Sequence, residues 1–173
     1  MENTILNVIN TRRSVRKFTN KTISETDIKE ILEAGMNAPS AGNEQAWHFI
    51  VMTDKSVMEE YSKLNKNVAY LKSAAAAILV CGNTKLEKYA GYHFHDCCAA
   101  TENILLAIHA KGMGGVWGAV FPNTFDGIRG LLNLPENLIP VSVIPFGYFE
   151  EKTQDAESRY DKQKVHWNKF QNS

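Results

Sequence analysis

The chain lacks an excess of charge of either sign, because its 173 residues hold 19 lysines and arginines against 19 aspartates and glutamates. A general nucleic-acid-binding protein usually carries a basic excess spread over one face, so the neutral balance argues against that class. The longest plainly apolar stretch, residues 74–81, is far too short to cross a bilayer. The first residues lack the pattern of a signal peptide. We therefore expect neither nucleic acid nor membrane as a partner.

Cysteine is scarce, with Cys81, Cys97 and Cys98 as its only occurrences. The count is odd, and adjacent cysteines are badly placed for the usual disulfide geometry. We predict a reduced protein in the cytoplasm, where free thiols are typical. A thiol nucleophile at Cys97 beside a histidine is an alternative, but a cysteine buried in a central helix is usually inert. The roles of Cys97 and Cys98 stay open.

The spacings of common metal sites and nucleophile motifs are also missing. His93 and His95 are two residues apart on a predicted helix, so their side chains face different ways. The chain has no His-x-x-x-His or Cys-x-x-Cys pair, no Gly-x-Ser-x-Gly elbow and no Walker motif. We predict no metal site.

Residues 112–118, "GMGGVWG", superficially resemble a dinucleotide fingerprint. They follow a predicted helix and precede a predicted strand, which is the reverse of the Rossmann order. Two interpretations remain. The glycines either stop the helix and allow close backbone packing, or they let main-chain amides line a wall for a flat ligand.

Hydrophobic periodicity predicts an α+β fold in which at least five helices cover one mixed sheet. The predicted helices are residues 3–11, a helix capped by Ser24 and ended by residues 38–43, and residues 55–65, 67–73, 92–111 and 124–133. The predicted strands are residues 47–52, 75–81, 116–121 and 138–149. Pro140 and Pro145 place the last strand at an edge or a bulge. The helix at 92–111 is apolar nearly all round, so we expect it to be central and buried.

No linker or repeat divides the chain, and we predict a single domain over residues 1–173. Residues from about 150 to 173 form a polar C-terminal extension with isolated aromatic side chains. This extension has too few apolar groups for its own core. Its spaced aromatics favour packing against another surface.

The segment "TRRSVRKF", residues 11–18, concentrates Arg12, Arg13, Arg16 and Lys17 in an otherwise neutral protein. Arginine suits bidentate contact with phosphate, and a neighbouring hydroxyl can donate a further hydrogen bond. An extended segment would turn Val15 toward the core and place Arg12, Ser14 and Arg16 along one side. The alternative is a solvated charged turn, the commoner role of a basic run.

A second polar segment, "APSAGNEQAW", joins a helix to a strand at residues 38–47. Ser40, Asn43 and Gln45 have the donors and acceptors to satisfy the edge of a polar heterocycle. The alternative is an ordinary turn built on Asn and Gly chemistry.

Four motifs in order resemble the nitroreductase family of FMN-dependent oxidoreductases, in its short form. They are "TRRSVRKF" (11–18), "APSAGNEQAWHFIV" (38–51), "GMGGVWGA" (112–119) and "SRYDKQKVHWNKF" (158–170). The resemblance covers essentially the whole chain. One departure is Ala46, where the family usually has proline after glutamine. Gly42 and Glu44 also alter the loop, and these changes bear on substrate preference more than on the cofactor.

The resemblance implies a nitroreductase-like α/β sandwich with a mixed, mainly antiparallel sheet, in a domain-exchanged homodimer with FMN between two subunits. The C-terminal extension would pack on the partner subunit. The implied contacts to the phosphate and ribityl chain are Arg12, Arg13, Ser14, Arg16 and, from the extension, Arg159. The implied contacts to the ring are Pro39, Ser40, Ala41, Asn43 and Gln45 of the loop, with Trp117 and Gly118 along the ring.

The implied activity is ping-pong transfer of reducing equivalents from NADH or NADPH, through FMN, to a small flat acceptor such as a nitroaromatic or a quinone. FMN would carry the chemistry, so no catalytic side chain is predicted. Two alternatives stay open: a relative that reduces enones or halogenated phenols, and a flavin-binding store or sensor without turnover. The sequence leaves open the physiological acceptor, the choice of NADH or NADPH, and any proton donor.

Overall fold

The computed structural model describes residues 4–150 and 158–170. In chain order these residues form α1 (Thr4–Thr11), α2 (Glu25–Met36), β1 (Trp47–Met52), α3 (Lys55–Leu64), β2 (Ala76–Asn83), α4 (Tyr92–Ala110), β3 (Gly114–Gly115), β4 (Gly118–Ala119), α5 (Phe125–Leu132) and β5 (Leu138–Gly147). Short 3₁₀ turns lie at Ala41–Asn43, Lys66–Ser73, Pro122–Thr124 and Lys162–Lys164. Residue 3 of the first predicted helix, and residues 151–157 and 171–173 of the predicted extension, lie outside the described residues.

One sheet forms the centre of the fold, with strand order β1-β2-β5-β3 and with β4 also paired to β5. All of these pairs are antiparallel. A single parallel bridge joins Ser14 to Gly115 at the β3 edge. The structure therefore confirms the predicted α+β class with a mixed, mainly antiparallel sheet.

Two hydrophobic cores lie on opposite faces of this sheet, since successive side chains of a strand alternate between faces. Ile78 and Val80 of β2 pack with α2 and α4. Leu79 and Cys81 pack on the other face with α3, α5 and the turn at 66–73. All eight residues of β2 are buried, as the continuous apolar run predicted.

The predicted edge position of the last strand is wrong, because β5 lies inside the sheet between β2 and the β3–β4 edge. The predicted bulge is confirmed. Val80 faces Ser142 and Cys81 faces Pro140, which leaves Val141 as the extra residue.

Pro145 is tolerated because the strand facing it is interrupted. Val116 N–H donates to the Pro145 carbonyl at 3.3 Å, and proline has no N–H to return the bond.

Of the predicted strand at 116–121, only Gly118–Ala119 is a strand (β4), and a second short piece, β3 (Gly114–Gly115), precedes the predicted start; the two pieces are separated opposite Pro145. Close packing explains the glycines in them. A Cβ at Gly118 would lie 2.6 Å from Val68 Cγ1, and a Cβ at Gly114 would lie 2.5 Å from Val15 Cγ2. A side chain at either position would displace its neighbours.

α4 is central, but the prediction that it is buried all round is wrong. Cys97, Ala100, Ile104 and Ile108 face the core, while the opposite side of the helix is half-exposed. α1 packs there without burying any of its own residues. An apolar cavity of about 420 Å³ lies between the two helices, and its lining includes Ile5, Val8, Ile9, Leu106 and Ala107.

Candidate functional site

The basic segment runs along the β3 edge of the sheet, between α1 and α2. Ser14 forms the parallel bridge to Gly115, and Val15 N–H donates to the Gly115 carbonyl at 3.1 Å. Val15 is buried, as the extended-segment pattern predicts. The sheet edge therefore sets the direction of the flanking cationic side chains.

Arg12 and Arg13 share one cavity of about 470 Å³ with Arg159, which comes from the far end of the chain. Ser158 and Tyr160 complete its C-terminal wall. The structure thus brings together three of the five residues proposed for the phosphate end. A cavity lined by several guanidinium groups favours a dianionic ligand.

Both N-terminal arginines keep donors for a ligand. Arg12 Nε lies 3.6 Å from Glu102 Oε1 of α4. Arg13 Nη1 donates to the carbonyls of Asn10 at 2.9 Å and Arg12 at 2.7 Å. Since a guanidinium carries five N–H donors, these contacts orient the side chains without exhausting them.

His109 at the end of α4 lies behind this cavity. Thr11 Oγ1 donates to the Asn7 carbonyl at 2.7 Å and lies 2.8 Å from His109 Nε2. The hydroxyl has one proton, so His109 Nε2–H is the donor in the second bond. Burial, and then the positive charges of Arg12 and Arg13, lower the pKa of His109. His109 is therefore close enough to Arg12 and Arg13, which line the cavity, to respond to their charges.

Ser14 and Arg16 belong to the same segment but do not line this cavity. Ser14 is exposed at its bridge to Gly115. The Arg16 guanidinium lies 5.9 Å from the centre of the Tyr70 ring, a cation–π distance. Arg159 therefore shares its cavity with Arg12 and Arg13. Ser14 and Arg16 lie outside that cavity.

The loop at 38–46 is a compact turn in which Ser40, Asn43 and Gln45 are joined by hydrogen bonds. Gly42, Asn43 and Gln45 all have positive φ, of 57°, 57° and 52°. Gln45 N–H donates to Ser40 Oγ at 3.0 Å, and Gln45 Nε2 donates to Asn43 Oδ1 at 3.2 Å. Pro39 is exposed beside them. The loop therefore presents a fixed, polar outer surface.

Asp96, in the first turns of α4, holds this loop from beneath. Its Oδ1 accepts the Ala41 N–H at 3.0 Å, and the residue is only 4% exposed. Its Oδ2 is buried without a hydrogen-bond partner among the described residues. Asp96 was not among the residues predicted from the sequence for the site. A carboxylate inside a helix predicted to be buried was the signal that a polar partner must lie nearby.

Trp117 and Gly118 occupy the interrupted edge of the sheet. Trp117 is exposed, whereas Gly118 is buried and faces Val143 of β5. Contact with Val68 and Val143 accounts for the glycine. The close-packing interpretation of "GMGGVWG" therefore has direct support, and a ligand-lining role stays a prediction.

The arginine cavity and the loop meet α4 at different places. The loop contacts Asp96, and the arginine segment contacts Glu102, six residues later. On an α-helix this spacing corresponds to about 9 Å along the axis and roughly 120° around it. One copy of the chain therefore presents the two groups on different sides of the helix.

The cysteines are free thiols. Burial raises the pKa of Cys81 to about 12, and it raises the pKa of Cys97 further. Cys81 and Cys97 are buried, and a buried thiol with a raised pKa is usually inert.

Over residues 4–150 and 158–170, no group of three or more histidine, cysteine or acidic side chains could hold a metal ion. Over the same ranges, no helix has the length and apolar character to cross a membrane.

Comparison with known proteins identifies the fold and its relatives. The family model described as "Nitroreductase family" matches residues 9–88 and 69–148. A protein from Methanothermobacter thermautotrophicus, provisionally named NADH dehydrogenase/NAD(P)H nitroreductase, is 41% identical over 170 residues, which cover 96% of this chain and 87% of that protein.

Solved structures show the same fold in related proteins. A Parabacteroides distasonis protein with the same provisional name has a TM-score of 0.91 at 35% identity, covering 98% of this chain and all of that one. A protein from Desulfovibrio desulfuricans, provisionally named a nitroreductase and crystallised in complex with FMN, has a TM-score of 0.82 at 29% identity and covers 93% of each chain.

Proposed function

The chain belongs to the nitroreductase family and is an NAD(P)H-dependent oxidoreductase; from that premise we propose that it binds FMN and reduces a small flat acceptor such as a nitroaromatic or a quinone. The observation that carries the proposal is the convergence of Arg12, Arg13 and Arg159 on one cavity. These residues come from two of the four motifs on which the resemblance was based.

FMN fits the chemistry of that cavity. Its phosphate is a dianion near neutral pH, and three guanidinium groups there would neutralise it and donate several hydrogen bonds. Ser14 and Arg16, on the same segment, would hold the ribityl chain that leads away from the phosphate. The buried Val15 would fix the position of the segment.

A second copy of the chain would supply the ring end of the site. In one copy the loop at 38–46 and the arginine cavity contact different sides of α4. The loop residues Pro39, Ser40, Ala41, Asn43 and Gln45 would therefore cover the isoalloxazine edge of the partner's FMN. Trp117 and Gly118 would lie along the ring in the subunit that holds the phosphate.

Apolar surface that is exposed in a single copy of the chain supports the proposed homodimer. The cavity between α1 and α4 is lined mainly by aliphatic side chains. In the C-terminal extension, Tyr160, Trp167 and Phe170 are exposed. Exposed apolar surface of this kind marks protein contacts. Packing of each extension on the other subunit would bury these side chains.

FMN, when bound, supplies the redox chemistry by accepting a hydride from NADH or NADPH and returning two electrons to the acceptor. The protein binds and orients the reactants. Asp96 fixes the loop that would cover the ring. Of the two arginines considered for positive charge near the ring, Arg13 lines the phosphate cavity, so Arg16 is the one that would provide it. No side chain is required as a nucleophile, in keeping with the buried thiols of Cys81 and Cys97.

The test begins with purified protein that has been saturated with FMN and washed. We expect a yellow protein with a flavin absorption spectrum that elutes as a dimer. Under anaerobic conditions NADPH or NADH should bleach it, and a nitroaromatic or quinone should restore the colour. A colourless monomer that does not retain FMN would refute the proposal. Bleaching without recovery by any aromatic acceptor would instead indicate a flavin store.

A further inference from the structure

An exposed aromatic cluster lies at the start of α4, and the cofactor site described above does not account for its exposed rings. Tyr89 and Tyr92 lie with ring centres 6.0 Å apart, and Tyr92 and His95 are 5.4 Å apart. Phe94 extends the row at 6.0 Å from His95. Tyr89 is 46% exposed and Tyr92 is 51% exposed, so both rings are available to a ligand.

This cluster is attached to the loop proposed to cover the flavin ring. A Cβ at Gly42 would lie 3.4 Å from Tyr89 Cε2, so the Tyr89 ring packs directly over that glycine. Next to it, Glu44 Oε2 accepts the Lys88 N–H at 2.7 Å. Gly42 and Glu44 therefore both connect the loop to the aromatic cluster.

The segment between β2 and α4 is also fixed from its other side. One carboxylate oxygen, Glu87 Oε2, accepts the Gly91 N–H at 2.9 Å and lies 2.6 Å from His93 Nδ1. The hydrogen bond to His93 lowers the pKa of Glu87, so the carboxylate stays ionised near neutral pH. Tyr89 and Tyr92 are therefore held on a fixed turn. Rigid aromatic side chains bind flat ligands at a low entropic cost.

The planes of the Tyr89 and Tyr92 rings are inclined by 61°. We propose that the two rings form an angled platform beside the flavin edge that the loop covers, on which the aromatic acceptor packs against the face of one ring and the edge of the other. This inference rests on the proposed function and names residues that would determine its acceptor specificity. Tyrosine rings are electron-rich at their faces, so the platform favours electron-poor rings. Lys88 Nζ lies 5.5 Å from the centre of the Tyr89 ring, which places a positive charge beside the platform for a nitro, carboxylate or quinone oxygen.

Polar neighbours favour a small ligand over a second protein surface as the occupant of this cluster. Lys88 and His95 lie directly at the rings. The buried centre of a protein interface is usually depleted of lysine. The cavity between α1 and α4, by contrast, is lined mainly by aliphatic side chains. A second copy therefore fits that cavity better than it fits the aromatic cluster.

The experiment separates the two half-reactions of FMN-loaded protein by stopped flow. The variant Tyr89→Ala/Tyr92→Ala should be reduced by NADPH at the wild-type rate. We expect its apparent Kd for a nitrobenzoate in the oxidative half-reaction to rise by about fivefold or more, the loss expected from one stacking contact and one edge-to-face contact. Oxidation by ferricyanide, which has no ring, should be unchanged.

Two control variants test whether the loss is specific to the Tyr89 and Tyr92 rings. Phe121→Ala removes another exposed aromatic side chain, 43% exposed, from a different part of the surface, and it should leave the nitrobenzoate Kd unchanged. Tyr89→Phe/Tyr92→Phe keeps both rings and should retain most of the wild-type affinity.

Three outcomes would overturn the platform: an unchanged nitrobenzoate Kd in the alanine variant, an equal loss with ferricyanide, or a loss of FMN or of the dimer. The last would assign the cluster to the cofactor or to the subunit contact. Failure of the wild-type protein to retain FMN would instead refute the proposed function itself.

Discussion

The arginine cavity and the loop at 38–46 differ in how their polar groups are used. Arg12 and Arg13 contact their neighbours through part of each guanidinium and keep further donors. In the loop, Ser40, Asn43 and Gln45 bond mainly to one another and to the backbone. The first region is therefore suited to bind charge through side chains. The second is suited to present a fixed shape.

The largest expected effect comes from the arginine cavity. Arg12→Ala should weaken FMN binding by about tenfold to hundredfold, since a hydrogen bond to a charged group contributes roughly 1.5–3 kcal/mol. Titration of apoprotein with FMN, followed by flavin fluorescence, measures this change. The wild-type affinity should fall with added salt, and the variant should depend less on salt.

Lys29→Ala is the matched control for charge removal, because Lys29 pairs with Glu25 on the exposed side of α2, with 2.9 Å between Nζ and Oε1. Its FMN affinity should equal that of the wild type. An equal loss in both variants would mean that general charge, and not the cavity, attracts the cofactor.

A smaller effect is expected at the loop. Asp96→Ala removes the acceptor of the Ala41 N–H and should weaken FMN binding by about fivefold, in line with roughly 1 kcal/mol for an ordinary hydrogen bond. Asp96→Asn keeps an acceptor oxygen and should bind FMN nearly as well as the wild type. Unlike Arg12→Ala, neither change should alter the salt dependence. A changed salt dependence would mean that the loop, like the arginine cavity, contributes to binding through charge.

Gly42 tests the shape of the loop. Gly42→Ala places a side chain at φ 57° and against Tyr89, so it should lower the free energy of unfolding by about 1 kcal/mol. Gly130→Ala, in α5, has no atoms near the new Cβ and should be neutral or slightly stabilising. Urea unfolding of both variants measures the difference, and equal stability would show that the loop adapts freely.

The smallest expected effect is a pH dependence at His109. Its pKa is lowered in the folded protein, so its contribution to stability is present above the unfolded value near 6.5 and is lost as the pH falls through the lower folded value. A phosphate bound by Arg12 and Arg13 would offset their charges and move this pKa back up. NMR titration of the His109 ring, with and without FMN, measures the shift. No change on FMN binding would place the phosphate elsewhere.

Local patterns were enough for much of the fold. Ser24 accepts the Asp27 N–H as the predicted cap of α2, and β1 begins and ends at the predicted residues. Of the two positions that the prolines indicated for β5, the bulge is confirmed and the edge is wrong. Pro145 is tolerated inside the sheet only because its neighbouring strand is broken there, which is a property of the assembled sheet.

The candidate site was predictable where the residues of one segment are themselves suited to bind a ligand. The arginines of the N-terminal motif stood out by charge alone. The local sequence of the loop does not indicate its neighbours. Asp96 and Tyr89 reach the loop only once α4 packs against β2. The Arg159 contact was implied by resemblance to the family, and no periodicity in the chain would have indicated it.

The interruption between β3 and β4 also bears on aggregation. A long, continuous outer strand exposes a row of unpaired backbone groups on which other chains can assemble into fibrils. At the edge opposite β1, the outer strand is reduced to two pieces of two residues each, and Ser14 bridges to Gly115 of the first piece. The break opposite Pro145 leaves too short a template for that assembly at this edge. The edge along which the arginine segment runs is thus also one that resists unwanted polymerisation.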